Sequence, residues 1–257
     1  MKTSTRLTFL LFMALSTGCF RPAFEPSGVG VASDLARPAC EEANAKRSPI
    51  ESLRVLADAT ISSDSERASF RYVVLSKEPA SFRVDVLPVN GAFTLGLLVS
   101  HNGNAIWLDS QEKTYAEDTD ERRLVAEYLG LRGVSRETAV ALVTGTLPQL
   151  SCSDVRLYIL RGGDRLFVDD RSHIAWRVRN NSYEVISVQV LDEGGNAVEM
   201  EGTFSPAKGG STESVVLEVF SPARARVDLS LTKMIRNPKL NDQLFEVRVP
   251  QGYSRVD

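Results

Sequence analysis

Five side chains have the chemistry to act as nucleophiles, ligands or titrating groups near neutral pH: Cys19, Cys40, Cys152, His101 and His173. His101 falls in a turn sequence and His173 at the start of a strand pattern, far apart and outside any HExxH pair, so metal-assisted hydrolysis is not indicated. None of the cysteines belongs to a CxxC spacing, which argues against a zinc or thiol-redox centre. Ser153-Asp154 and Asp169-Asp170 supply a hydroxyl and carboxylates of the kind that end loops, and a Ser-His-Asp triad is a matter of geometry, not spacing. No glycine-rich phosphate loop is present. The expectation is a protein that is not an enzyme and carries no metal or cofactor.

Cys19 is set apart by what precedes it. Lys2 and Arg6 give a positive start, residues 7–15 (LTFLLFMAL) are apolar, and Ser16-Thr17-Gly18 places small residues before the cysteine. Such a stretch is too short for a bilayer core of about 30 Å, which takes roughly 20 helical residues. It reads as a cleavable leader over residues 1–18. The Ser16-Thr17-Gly18-Cys19 end resembles the lipobox of bacterial lipoproteins, in which the new N-terminal cysteine is acylated, although Ser16 stands where Leu, Val or Ile is commoner. An ordinary secretory leader cut elsewhere is the alternative. Phe20, not the aspartate associated with inner-membrane retention, follows the cysteine, which points to the outer membrane, with the lipid-anchored domain facing the periplasm. In that oxidising compartment Cys40 and Cys152 either pair, tying the N-terminal segment to the middle of the domain, or stay as two buried thiols.

The 257 residues carry 30 Lys and Arg against 33 Asp and Glu, and the leader takes two of the bases with it. A mature charge of about −5, with no basic run, argues against nucleic acid as a partner. The hydrophobic fraction of 43% suffices for one sizeable core. Residues 19–49 are rich in Pro, Ala, Ser, Gly and charge, which predicts a flexible tether with at most a short helix around 40–46. One domain is expected over 50–257.

Within it, period two predicts strands at 50–62, 68–75, 82–86, 93–99 and 105–109, with turns at 87–91 and 101–104. Helical spacing of Leu124, Val125, Tyr128 and Leu129 predicts a helix over 119–130, with Gly130 as C-cap and the acidic run at 117–121 suiting its N-terminal dipole. A second helix is predicted over 135–144 between an N-cap at Ser135 and a stop at Gly145. Strands resume near 155–160, 165–169, 173–179, 184–191, 197–204, 214–220, 226–235 and 244–249, punctuated by turns such as Gly194-Gly195 and Gly209-Gly210. This pattern predicts an α+β, mainly β domain: a strongly curved antiparallel sheet forming a half-open β-barrel, with the two mid-chain helices over its concave face. Phe70, Tyr72, Phe82, Val84, Val86, Leu95, Leu97 and Val99 are expected on one face, either lining a lipid cavity or filled by the helices.

Residues 82–148 resemble the LolB-like outer-membrane lipoprotein receptors of the LolA/LolB lipoprotein-localisation superfamily. The resemblance is carried by Phe82-Arg83-Val84-Asp85-Val86-Leu87-Pro88-Val89-Asn90-Gly91, similar to a strand and protruding loop of that family, by Lys113-Thr114-Tyr115-Ala116, and by Leu142-Val143-Thr144-Gly145-Thr146-Leu147-Pro148 closing two helices. It implies a half-open barrel whose apolar concave face shelters acyl chains. It also implies a membrane-insertion loop at Val89, where the family has a larger leucine; Phe93 adds apolar surface there if it faces outward, or else lies in the core. The function so implied is acceptance of lipoproteins from a LolA-like periplasmic carrier and their insertion into outer-membrane lipid by a monomer, without a chemical step. The alternative is a lipid-binding or envelope scaffold lipoprotein of the same fold.

Overall fold

The computed structural model describes residues 21–91, 93–128, 134–206, 212–221 and 224–256. The expected leader with Cys19 and Phe20, the helix end at Leu129 and Gly130, and the turn at Gly209-Gly210 lie outside the described residues. In chain order the first half comprises β1 (Gly28–Gly30), α1 (Ser33–Lys46), β2 (Ser52–Ser62), β3 (Arg67–Lys77), β4 (Ser81–Pro88), β5 (Gly96–His101), β6 (Asn104–Asp109), β7 (Thr114–Asp118), α2 (Glu121–Tyr128) and α3 (Arg136–Thr144). The second comprises β8 (Val155–Leu160), β9 (Arg165–Asp169), β10 (Ile174–Val178), β11 (Val185–Leu191), β12 (Val198–Pro206), β13 (Thr212–Val219), β14 (Ala225–Arg236) and β15 (Ser254–Arg255).

All of these strands join one open, curved sheet in the order β1-β8-β9-β10-β11-β12-β13-β14-β2-β3-β4-β5-β6-β7-β15. Neighbours are antiparallel except β15, which lies parallel to β7. The chain therefore runs outward from the middle through β2 to β7. It crosses the inner face as α2 and α3, and returns through β8 to β14, which closes on β2 from Arg226 opposite Ser62 to Arg236 opposite Leu53. The expected half-open barrel with helices on its concave side is the architecture found, extended by a closure between strands far apart in sequence.

Alternation sorts the strands. On β2, Leu53, Val55, Ala57 and Ala59 are buried while the residues between them face out. One continuous core joins this inner face to all three helices through Ala36, Cys40, Leu124, Val125 and Leu142. Helix α3 begins and ends as the sequence predicts: the Ser135 side chain accepts from the Thr138 N–H (3.2 Å), and Gly145 closes the helix in the left-handed region at φ 63°. It can press on the sheet because Gly202 leaves room there. A β-carbon at Gly202 would lie 2.8 Å from Val188 and 3.6 Å from Leu142.

Two segments differ from expectation. Where composition predicts a tether with a short helix around 40–46, residues 28–46 form β1, paired with Tyr158, Ile159 and Leu160 of β8, and the fourteen-residue helix α1, which contains that short helix and extends it towards the N-terminus. Small residues hide this helix from a hydrophobicity reading: Ala36, Cys40 and Ala43 form its buried stripe at spacings of four and three, and Pro38 sits inside it. Its docking is long-range. Cys40 and Cys152 are joined with their α-carbons 5.6 Å apart, and the Asn44 amide exchanges two 3.0 Å hydrogen bonds with the Leu150 backbone. Near the C-terminus, the predicted strand at 244–249 is instead a 3-10 turn (Asp242–Phe245) and an extended strap. Leu244, Phe245 and Val247 pack onto the outer face without joining a ladder, so apolar spacing there reports side-chain burial alone.

Candidate functional site

The inner-face residues divide. Phe70, Phe82, Val84, Val86 and Leu95 share the helix-covered core, and Tyr72 packs at its margin. Burial pushes the Tyr72 hydroxyl up to about 12, so it stays neutral at physiological pH. Leu97 and Val99 do not belong to this surface: they lie on the outer face with Leu75, Leu240 and Phe245. The physical reason is register. Val84 stands opposite Leu98, and Val86 opposite Gly96, so Leu98 points inward and its neighbours outward. Leu95 precedes β5, and there the loop returns it to the inner side with its N–H on Val86 O (2.8 Å).

Leu98 and Trp107 are the inner-face residues a simple alternation from Phe93 misses. They stand opposite one another on β5 and β6, exposed by 0% and 2%. The signal was Gly96: the Trp107 ring covers it so closely that a β-carbon would lie 2.4 Å from the indole. The inner face in this state is an occupied surface. Leu124 and Val125 of α2 and Leu142 of α3 are at most 2% exposed in the same core.

The β4–β5 loop is organised differently. Gly91 N–H donates to Pro88 O (2.8 Å), and Gly91 turns the chain at φ 66°. Val89 is 46% exposed and Phe93 59% exposed, so both project from the loop and Phe93 is not a core residue. No charged residue occurs from 88 to 95.

A cleft of about 850 Å3 lies on the opposite side, between the outer face of β5 to β7 and the C-terminal strap. Val99, Ile106 and Phe245 form its apolar part; Arg123 pairs with Asp118 (2.5 Å) and Arg255 with Glu117 (3.5 Å) along its rim. His101 faces it with Nδ1 2.8 Å from the Ser81 Oγ, a cross-strand pair in which Ser81 is buried. His173 is in a left-handed turn at φ 56° before β10. The Ser153 hydroxyl donates to Asp154 (2.8 Å), and Asp169 caps its own turn by accepting from the Arg171 N–H (3.0 Å). Among the described residues no three His, Cys, Asp or Glu side chains are grouped to hold a metal ion, and no helix is long and apolar enough to cross a membrane.

No family model matches the chain, and no curated protein matches it in sequence. Its fold has clear relatives among solved structures. A LolA superfamily protein from Nitrosomonas europaea superposes with a TM-score of 0.53 at 16% identity, covering 82% of this chain and 97% of its own. An inferred outer membrane lipoprotein-sorting protein domain from Vibrio parahaemolyticus gives 0.57 at 14% identity, covering 83% and 97%. A DUF1329 family protein from Desulfovibrio piger gives 0.57 at 9% identity over the same shares. At these identities the likeness is one of fold: over about four-fifths of its length the chain shares its fold with a LolA superfamily protein, a lipoprotein-sorting domain and a DUF1329 protein.

Proposed function

We propose that this protein is an outer-membrane lipoprotein, anchored through Cys19 and facing the periplasm. In this reading it accepts lipoproteins from a LolA-like carrier and inserts them into the outer membrane as a monomer, without catalysis. The observation that carries the reading is the LolA-superfamily fold, which supports a lipoprotein-binding or sorting role. The exposed, uncharged loop bearing Val89 and Phe93 supports the finer step of membrane insertion.

Acyl chains would enter the inner face by displacing α2 and α3. The exchange is close to balanced: burying about fourteen methylenes gains about 11 kcal/mol. Withdrawing Leu124, Val125, Val134 and Leu142 forfeits about 6–12 kcal/mol. Near balance suits a protein that must both take and release its cargo. Depletion should strand lipoproteins on the carrier, and Val89→Glu should block release while the fold persists. Normal lipoprotein sorting after depletion would sink the transfer reading.

The packing of all three helices over the inner face favours a second reading, an envelope scaffold that keeps this face closed. It predicts a stable copurifying partner and no acyl chain bound under the helices.

A further inference from the structure

The N-terminal segment enters the fold in a way that bears on how the domain meets a membrane. Residues 21–24 run antiparallel to the start of β12. Val198 N–H donates to Pro22 O and Phe24 N–H to Asn196 O, both at 2.8 Å, and Ala23 bridges Ala197. Arg21 closes the contact, 3.3 Å from the Glu199 carboxylate and 2.7 Å from the Ser221 Oγ to which it donates. Phe24 packs on the outer face with Val168, Leu191 and Val198. Positions 22, 24 and 26 are half-buried while 21, 23 and 25 are exposed, the period of an added strand. A free linker of about 30 residues would reach about 30 Å on average. Cys19 is two residues from Arg21 in sequence, a chain reach of at most about 7 Å.

The sheet register says which end of the molecule this is. Glu201 on β12 lies opposite Glu218, Glu218 opposite Arg226, Arg226 opposite Ser62, and Ser62 opposite Arg67. Three residues further along β3, Phe70 lies opposite Pro88, the last residue before the Val89 loop. The docked segment and that loop stand at the same end of the sheet, five strand spacings or about 24 Å apart along it. Other turns at this end carry charge, from Asp64 and Glu66 between β2 and β3 to Asp192 and Glu193 between β11 and β12. The loop at 88–95 alternates with them as an uncharged point.

We propose that this end of the sheet is a membrane-facing rim, where the acylated Cys19 and the Val89 and Phe93 side chains enter one lipid surface, with residues 21–24 as a clamp. The proposal rests on the lipoprotein reading above, since the acyl group supplies one of its two points. An acyl chain anchors without orienting, and two apolar side chains orient without anchoring. Two points five strands apart fix the tilt of the domain and hold it at a constant height above the bilayer.

The test uses the full acylated protein on vesicles of phosphatidylethanolamine and phosphatidylglycerol containing brominated lipid. Val89→Trp reports on the rim, and Asn104→Trp on the exposed turn at the opposite end of the sheet. The native Trp107 and Trp176, buried to 2% and 1% exposure, give a constant background. Val89→Trp is expected to lose emission and shift to the blue while Asn104→Trp does neither. A flexible Gly-Ser spacer inserted between Phe20 and Arg21 should restore Val89→Trp emission. Equal quenching at both ends, absence of quenching in protein that floats with the vesicles, or quenching unchanged by the spacer overturns the rim. Protein that neither floats nor carries acyl mass on Cys19 refutes the lipoprotein reading itself, and the rim with it.

Discussion

The two faces of the sheet are made from alternate residues of the same strands, yet they are closed by different means. The inner face is one apolar surface under α1, α2 and α3. The outer face is largely a lattice of ion pairs, among them Arg71–Asp58, Arg83–Asp85 and Arg177–Asp164, each at 2.7 Å. Its two small apolar clusters lie under the ends of the chain, one under Phe24 and the other under Leu240 and Phe245. Stability should therefore reside on the inner side, because exposed ion pairs contribute about 0–1 kcal/mol each. In the proposed function, the helices that close the inner face are the cover that acyl chains displace. Closure by chain ends gives the outer face control over where those ends emerge.

The largest test of this asymmetry is the tie that holds α1 over the inner face. Replacing Cys40 and Cys152 by alanine opens a link across 112 residues of sequence. It should cost about 4 kcal/mol, read as a lower denaturant midpoint. Next come neighbouring leucines on opposite faces. Leu98→Ala removes a fully buried inner side chain and should cost about 3 kcal/mol. Leu97→Ala, half-buried outside, should cost about 1 kcal/mol. Equal losses in chemical denaturation would contradict the register of β5.

A smaller effect should come from the outer-face pair. The hydrogen bond and charge of Arg71 hold the Asp58 carboxyl below its usual value of 3.8. A depressed carboxylate adds stability above its unfolded pKa, and that stability is lost as pH falls through the folded value. Asp58→Asn should flatten the acid limb of a stability-against-pH curve below about pH 4 and change little at neutral pH. Smallest of all, Val89→Glu should alter stability by less than about 0.5 kcal/mol, since the side chain touches no core. Its effect should instead appear in vesicle contact and cargo release. A fall in thermal midpoint with that variant would mean the loop is structural.

Much of the inner face can be read directly from residues 50–99, because Phe70, Phe82, Val84 and Val86 obey strict alternation within uninterrupted strands. The reading fails at β5 for a local reason: a loop of irregular backbone lies between Pro88 and Gly96, and alternation carried across it slips by one residue. Only the second half of α1, around 40–46, is read from the sequence, and its first turns are missed because a stripe of two alanines and a cysteine buries little apolar area by itself. The outer cleft beside Phe245 is missed because its walls come from β5 to β7 and from a strap more than a hundred residues later.

The sequence alone determined the features governed by neighbours along the chain. These are the strand periods, the Ser135 cap and Gly145 stop of α3, the charge-free loop holding Val89 and Phe93, and the apolar stock of one large domain. Tertiary structure alone decided that β14 closes on β2, that Leu98 and not Leu97 faces inward, that residues 28–46 fold onto the sheet, and that Arg21 docks at the same end as the Val89 loop. Local preferences set the conformation of each segment. The pairing of distant segments depends on burial and hydrogen bonds that exist only once both have been brought together.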